Sequence, residues 1–481
     1  MDYRNIIKVL SLISLTLATI FLGDVFVAYL YDEAYLQFLL YDLLFFVVNL
    51  AIWIGLKKHQ LNLKIKGSIV TANILWLLFG LLGAIPLYAY SNISFASAFF
   101  EAISGFTTTG ATIYTDIESL PHMILFHRSL MHWLGGMGVI VLSVGLLSMI
   151  NPTGSLSLFK AEATGIQLEK LTPKIKDTAL ILWGIYTFLT FIDMLLLKFF
   201  GMSWFDALNH AMSTISTGGF STKNNSLGYY YNNDGIIWTT TLFMILSGIN
   251  FLAHLRFLHG DFTGYKNEEV KWYLIIFITL GTLLTLIHTD MGQVALYNSA
   301  KHSFFSIASV LTTTGFATVD YGMWSHLAIS TIFIAMFIGG NAGSTAGGIK
   351  VIRLIIIFKA LFSEFKQIIH PHTLVSVFVD RVKQSDRVMR SITGFFILYM
   401  LTILLVMLYI YVQGFDIMTA FSGALATVGN IGPGFSLVGP AENFAFFSDI
   451  DKIVLSIAMI IGRLECYTVY ILLSLAFWRR F

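Results

Sequence analysis

The chain has 481 residues, 56% of them hydrophobic and 12% charged, with 29 basic against 27 acidic residues for a net charge of +2. Ordinary soluble domains carry about a quarter charged residues, so this composition, with mean hydropathy +0.77, excludes a water-soluble globular protein. The near-neutral charge removes any case for a polyanion partner, and no nucleic acid is expected to bind.

A membrane-spanning helix needs roughly 20 apolar residues. Ten runs qualify: 6–30, 35–56, 69–92, 127–149, 177–200, 236–258, 271–289, 326–362 with an interruption, 389–412 and 450–477. The first is too long for a signal-peptide core and lacks an A-x-A-like cleavage site, so it reads as a retained span. Lysine and arginine in short loops mark the cytoplasmic side. Arg4, Lys8, Lys57, Lys58, Lys64, Lys66, Lys160, Lys170, Lys174, Lys176, Arg256, Lys266 and Lys271 fall on alternate loops, joined by the stretch from Lys350 to Arg390 and by Arg479 and Arg480. Both termini are therefore expected in the cytoplasm. The opposite loops carry Asp116, Glu118, Asp234, Asp320, Glu442, Asp449 and Asp451. These either concentrate cations at the outer face or merely fill loops where positive charge is disfavoured.

After the third, fifth, seventh and ninth runs the outer loop holds a semi-apolar segment of about a dozen residues, too short to cross. Each ends alike: Thr107-Thr108-Thr109-Gly110, Ser216-Thr217-Gly218-Gly219, Thr312-Thr313-Thr314-Gly315 and Thr427-Val428-Gly429-Asn430. Aligned on Gly110, Gly218, Gly315 and Gly429, the intervals are 108, 97 and 114 residues, a near-constant period that marks repeated units. One such tripeptide says little, and small-residue helix packing is the competing explanation. Four at matching positions point to re-entrant strands, which survive at membrane depth only where protein or a water-filled path surrounds them. Glycine frees the backbone to turn carbonyls to one side, and stacked carbonyl rings can replace the hydration shell of a monovalent cation. The short helices aim their negative carboxy-terminal ends at the same path, with Ser94, Ser203 together with Asp206, Asn298 and Asp416 as candidate amino-terminal caps.

The eighth run contains Gly339, Gly340, Asn341, Gly343, Ser344, Gly347 and Gly348, followed by Lys350. Each glycine costs roughly 1 kcal/mol of helix propensity, so a break is expected here, either an irregular loop obstructing a pore or a kink permitting close helix contact. In the last run Arg463 stands near mid-membrane, where a charge needs a partner or a wet cavity. Glu465, two positions on, faces another side, which leaves the glycine-loop carbonyls or the pore itself. Lys350 either joins that gate or anchors its helix at the interface. Asp193 is expected to be capped by a neighbouring hydroxyl, and His132, His210 and His254 have no ligand spacing. Cys466 reads as packing. No H-E-x-x-H, G-x-S-x-G or P-loop is present, and an enzyme is not expected.

These four loops, with Trp133-Leu134-Gly135-Gly136-Met137-Gly138, the run from Gly339 to Lys350, and Gly462-Arg463-Leu464-Glu465, resemble the Trk/Ktr/HKT potassium transporters, most closely the TrkH branch, over essentially the whole chain. The two runs before the first repeat favour that branch. The resemblance implies an all-α integral membrane protein of ten transmembrane helices, the last eight as four pseudo-symmetric helix, re-entrant pore loop and helix repeats around one cation pore. The units would be 1–66 (two N-terminal helices), 67–160, 161–266, 267–385 (with the gating loop) and 386–481. It implies potassium as the transported ion, with Thr108, Thr109, Gly110, Thr217, Gly218, Thr314, Gly315, Val428, Gly429 and Asn430 at the filter. Gly339 to Gly348, Lys350 and Arg463 would form the gate. It further implies a homodimer in the bacterial inner membrane, in contact with lipid and controlled by cytosolic TrkA-like nucleotide-binding subunits, with no organic cofactor in this chain. None of the loops carries the full TVGYG of tetrameric potassium channels, so discrimination against sodium is expected to be weaker. The alternative is a secondary transporter coupling potassium to protons or sodium. Four repeats of one orientation weigh against it, since inverted repeats are usual there. The basic stretch from Lys350 to Arg390 is either a docking surface for the regulatory partner or an anchor at the membrane.

Overall fold

Backbone polar groups in hydrocarbon have to be satisfied within their own segment, which leaves the helix as the form open to each long apolar run. The computed structural model describes residues 3–59, 64–150, 175–292, 295–373 and 376–479, with the backbone alone at 65, 139–150, 175–178 and 290–292. Lys160, Lys170, Lys174, Arg480 and the expected unit boundary at 160 lie outside the described residues, as does the side chain of Lys176.

A hairpin of α1 (Tyr3–Leu30) and α2 (Leu36–Gly55) precedes four repeats, each a long helix, a short helix, a non-helical segment that is the re-entrant strand, and a returning helix. The first is α3 (Ile65–Tyr90), α4 (Phe95–Phe106) and α5 (His122–Ile150). The second is α6 (Ile175–Phe199), α7 (Trp204–Ile215), α8 (Asp234–Ser247) and α9 (Phe251–Leu258). The third is α10 (Glu268–Gly292), α11 (Leu296–Leu311), α12 (His326–Met336) and α13 (Val351–Ile369). The fourth is α14 (Asp386–Val412), α15 (Ile417–Val428) and α16 (Asp449–Arg463), trailed by α17 (Tyr467–Tyr470) and α18 (Leu475–Trp478). The expected helical fold of four repeats is the fold found, with one short antiparallel pair, Phe378–Val379 and Val382–Lys383, ahead of α14.

Among the described residues, six helices (α1, α2, α3, α6, α10 and α14) are long and apolar enough to cross a membrane, or eight spans if two bent pairs count as one each. Those pairs correct the reading of runs 236–258 and 450–477 as continuous. The first bends by 99° after Ser247, and the second by 110° after Arg463. At the first break the Asn250 side chain accepts from Leu252 N–H and starts a new helix. At the second, Glu465 and Cys466 both take left-handed backbone, φ 58° and 53°, which no α-helix continues through. Run 326–362 breaks at its glycines as expected, between α12 and α13.

The short helices sit at the centre. Phe100, Phe106, Ile215, Phe305 and Leu425 are fully buried, and helices buried on every face belong inside a bundle. Three start at the expected caps: Ser94 accepts from Ser97 N–H, Ser203 from Asp206 N–H, and Asp416 from Met418 and Thr419 N–H. Asn298 is not a cap, because α11 begins after Ala295 and Asn298 already lies in its first turn.

Candidate functional site: a four-strand ring and an intramembrane loop

Each short helix ends in the same hydrogen-bonded turn. Thr108, Thr217, Thr313 and Asn430 take left-handed backbone at φ 53°, 54°, 56° and 53°. The next amides, of Thr109, Gly218, Thr314 and Ile431, donate to the carbonyls five residues back, Ser104, Ser213, Ser309 and Ala426, at 2.9, 2.8, 2.8 and 2.9 Å. This is the Schellman closure of a helix, which usually places glycine in the left-handed position. Threonine there is strained, at a cost of order 1–3 kcal/mol, and is held only where the surroundings over-determine it.

Two residues after each strained position comes a left-handed glycine: Gly110 (φ 83°), Gly219 (86°), Gly315 (83°) and Gly432 (96°). Their contacts run in a closed cycle. A first side-chain carbon on Gly110 would lie 2.3 Å from the Gly218 carbonyl oxygen, on Gly219 2.0 Å from that of Thr314, on Gly315 2.2 Å from that of Ile431, and on Gly432 2.6 Å from that of Thr109. The four strands therefore meet around one axis, each packing its glycine on the carbonyl that precedes the next strand's glycine. A pocket over the ring is lined by all four glycines together with Arg128, Lys223 and Glu442. Nearby, a hydrogen bond from Asn224 holds Asp116 below the usual carboxylate range.

The geometry shifts the register read from the sequence. Gly110 and Gly315 keep their places, but Gly218 is the counterpart of Thr109, so Gly219 takes the glycine position of the second strand. Gly429 merely caps α15, Val428 is that helix's last residue, and Gly432 is the fourth glycine. Spacing keyed on the first glycine after Thr or Val, whereas the backbone keys on the glycine that touches the next strand. The signal that was present is a second glycine in both deviant copies, Gly218-Gly219 and Gly429-x-x-Gly432, with Pro433 after the last. The copies also alternate: a Thr107–Thr109 hydroxyl pair and a Thr312–Thr314 pair, both at 2.7 Å, stand in the first and third strands.

Three side chains behind the ring were not picked out as site residues. Arg128, 1% exposed, donates Nε to Glu101 at 2.8 Å and Nη1 to the Ser221 carbonyl at 3.1 Å, while its plane lies 4.1 Å from the Phe220 ring centre. Glu101 also accepts from Ile113 N–H at 2.9 Å, so the pair braces the first strand to the second. His132 donates Nδ1–H to the Gly105 carbonyl at 2.7 Å and accepts Phe220 N–H on Nε2 at 3.1 Å. Charged residues at membrane depth were the available signal. Asp193 is buried with the Thr214 hydroxyl beside it, the neighbour expected for it, and that hydroxyl also donates to the His210 carbonyl at 2.7 Å.

Beneath the ring, residues 337–350 form the expected irregular loop, closed at its base by Gly339 N–H on the Ile349 carbonyl at 2.8 Å. It is fastened on two sides. Asn341 N–H donates to Gly248 at 2.8 Å, Phe251 N–H to Gly343 at 3.2 Å and the Thr345 hydroxyl to the Ile215 carbonyl at 3.0 Å, all at the α8–α9 break or the end of α7. From the α16 break, Arg463 donates Nη1 to the Thr345 carbonyl at 2.9 Å and Nη2 to Gly135 at 3.4 Å. Lys350 is buried and donates to the Ala346 carbonyl, so it belongs to the loop and not to the interface. Glu465 pairs with Arg353 across the same region at 2.5 Å, which takes Arg353 out of the exposed basic stretch.

A multi-pass helical protein with four re-entrant strands around one axis and a hydrogen-bonded loop below them belongs to the class of pore-forming membrane proteins. The TrkH family model, described as cation transport protein, matches residues 37–478. The chain is 37% identical to the Trk system potassium uptake protein TrkG of Escherichia coli K12, over 94% of each chain. It is 34% identical to the Trk system potassium uptake protein TrkH of Salmonella typhimurium over the full length of both. The crystal structure of the potassium transporter TrkH from Vibrio parahaemolyticus superposes with a TM-score of 0.90 at 33% identity, covering both chains completely. The chain belongs to the TrkH family.

Proposed function

We propose that this protein carries potassium across the bacterial inner membrane into the cell, through a filter of strand carbonyls and past a gate formed by the intramembrane loop. The observation that carries this reading is the closed cycle of four glycine-to-carbonyl contacts, which sets the carbonyls of Thr109, Gly218, Thr314 and Ile431 around one axis. Carbonyl rings of this kind exchange for the hydration shell of a monovalent cation. The filter comprises Thr108, Thr109, Gly110, Thr217, Gly218, Thr314, Gly315 and Asn430 together with Gly219, Ile431 and Gly432, while Val428 and Gly429 end the α15 helix that leads into the fourth strand.

The gate comprises Gly339, Gly340, Asn341, Gly343, Ser344, Gly347, Gly348, Lys350 and Arg463. Two of its cationic groups, Arg463 and Lys350, rest on loop carbonyls, the same oxygen type a permeating cation would use. The protein works as a homodimer with both termini in the cytoplasm, where TrkA-like nucleotide-binding subunits control the gate. Its units divide near 67, 161, 267 and 386. The test is growth of a potassium-uptake-deficient strain at low potassium. The wild-type chain restores growth and Gly315→Ser does not; equal rescue by both removes the filter assignment.

A further inference from the structure

The four left-handed residues that close the short helices share a backbone but not their contacts. The Thr108 hydroxyl has no hydrogen-bond partner among protein groups. Thr217 Oγ1 donates to the Ser216 carbonyl at 2.6 Å. Asn430 Nδ2 donates to Thr109 Oγ1 and to the Met459 carbonyl, both at 3.0 Å. Of the four, Thr313 meets the intramembrane loop: Gly347 N–H donates to its Oγ1 at 2.6 Å. Gly347 is wedged at that point, since a first side-chain carbon on it would lie 2.6 Å from the Gly429 carbonyl oxygen and 3.1 Å from Asn430 Cβ. Beside it, a side-chain carbon on Gly348 would lie 3.5 Å from Thr313 Cγ2. The loop is therefore tied directly to the inner ends of the third and fourth strands, in addition to its ties to α7, α8, α9 and α16.

We propose that Thr313 is a latch between filter and gate. Its hydroxyl holds the Gly347 amide while the pore is closed, and the loop leaves the ion path only when that bond breaks. This rests on the reading of the strands as filter and of the loop as gate. A hydroxyl offers two acceptor lone pairs and one proton, so once Gly347 withdraws, the oxygen is free to meet a cation leaving the strand ring. Cation and amide compete for one oxygen, which links occupancy of the inner filter to the position of the loop. Thr313 acts through the loop and is a positioning residue. A single net hydrogen bond shifts a two-state equilibrium by about three- to tenfold, which sets the size of the effect to look for.

The experiment is rubidium tracer flux through the purified full-length chain in proteoliposomes, without cytosolic partner, at fixed membrane potential. Thr313→Val raises basal flux about three- to tenfold, and Thr313→Ser, which keeps the acceptor, stays at the wild-type level. Gly347→Ala, which displaces the amide from the other side, also raises flux. Thr240→Val, at a buried threonine whose hydroxyl donates within α8 to the Ile236 carbonyl at 2.9 Å, away from filter and loop, does not. Unchanged or lowered flux in Thr313→Val overturns the latch, as does an equal rise in Thr240→Val, because the effect then belongs to the loss of any buried hydroxyl. If neither the wild-type chain nor Arg463→Ala passes rubidium, the pore reading itself is overturned, and the latch with it.

Discussion

Gly432 faces two demands at once: a φ of 96° and a neighbouring carbonyl 2.6 Å from where any side chain would begin. Left-handed backbone alone costs a non-glycine residue roughly 1–2 kcal/mol, and the contact forces the Thr109 carbonyl to move. Gly432→Ala is therefore expected to lower potassium uptake by at least about tenfold, taking 1.4 kcal/mol per factor of ten. Gly138→Ala, where nothing lies within 4 Å, leaves uptake at the wild-type level; similar losses in both would show that the ring is not special. Arg128 and Glu101 test the scaffold behind that ring. Removing one partner of a buried ion pair typically costs about 3–5 kcal/mol, so Arg128→Met lowers the melting temperature of the detergent-solubilised protein markedly. The double variant Arg128→Met with Glu101→Gln recovers part of the loss, and a double variant as unstable as the single one would contradict this account. Gly110 and Gly315 were legible in the sequence because Thr-Thr-Thr-Gly places the glycine directly after the turn. Gly219 and Gly432 were not, because their importance comes from a carbonyl on another strand.

Three of the four returning helices break, and the breaks meet. The α12–α13 loop takes hydrogen bonds from the α8–α9 break on one side and from the α16 break on the other. A long apolar helix would satisfy its own backbone, so each break has to find replacement partners, and here each supplies the others. Arg463 is the strongest of these ties, because a charged donor on a carbonyl contributes about 1.5–3 kcal/mol. Arg463→Ala is expected to raise basal cation flux in vesicles lacking the cytosolic partner, about tenfold or more on that scale; flux indistinguishable from wild type would remove its role as a clamp. The break at Gly339–Gly348 was legible because glycine propensity collapses over the run. The one at Leu464–Cys466 was not, since leucine, glutamate and cysteine give no helix-breaking signal, and the bend depends on Glu465 reaching Arg353.

For the whole molecule, four units of one orientation around one axis describe a pore. The N-terminal hairpin stands outside that ring and is joined to it by a buried contact between Asp24 and His127 Nδ1 at 2.8 Å, with His127 Nε2 donating to the Gly83 carbonyl at 3.0 Å. A pore is driven by the membrane potential, worth about 2.3 kcal/mol per charge per 100 mV, or about 50-fold accumulation. Potassium uptake into vesicles clamped at a fixed potential is accordingly expected to be the same with and without an imposed proton or sodium gradient. A gradient-dependent rate at constant potential would favour the coupled transporter instead.

The sequence by itself determined that this chain lies in a bilayer, that it repeats four times, and that one returning helix breaks at its glycines. Composition, period and propensity are properties of the chain that need no partner to be expressed. Only the tertiary structure decided which glycines line the axis, which carbonyls they meet, and what Arg463, Lys350 and Thr313 hold. Those contacts join residues up to about 330 positions apart, and no local pattern records which strand becomes a neighbour once the ring has closed.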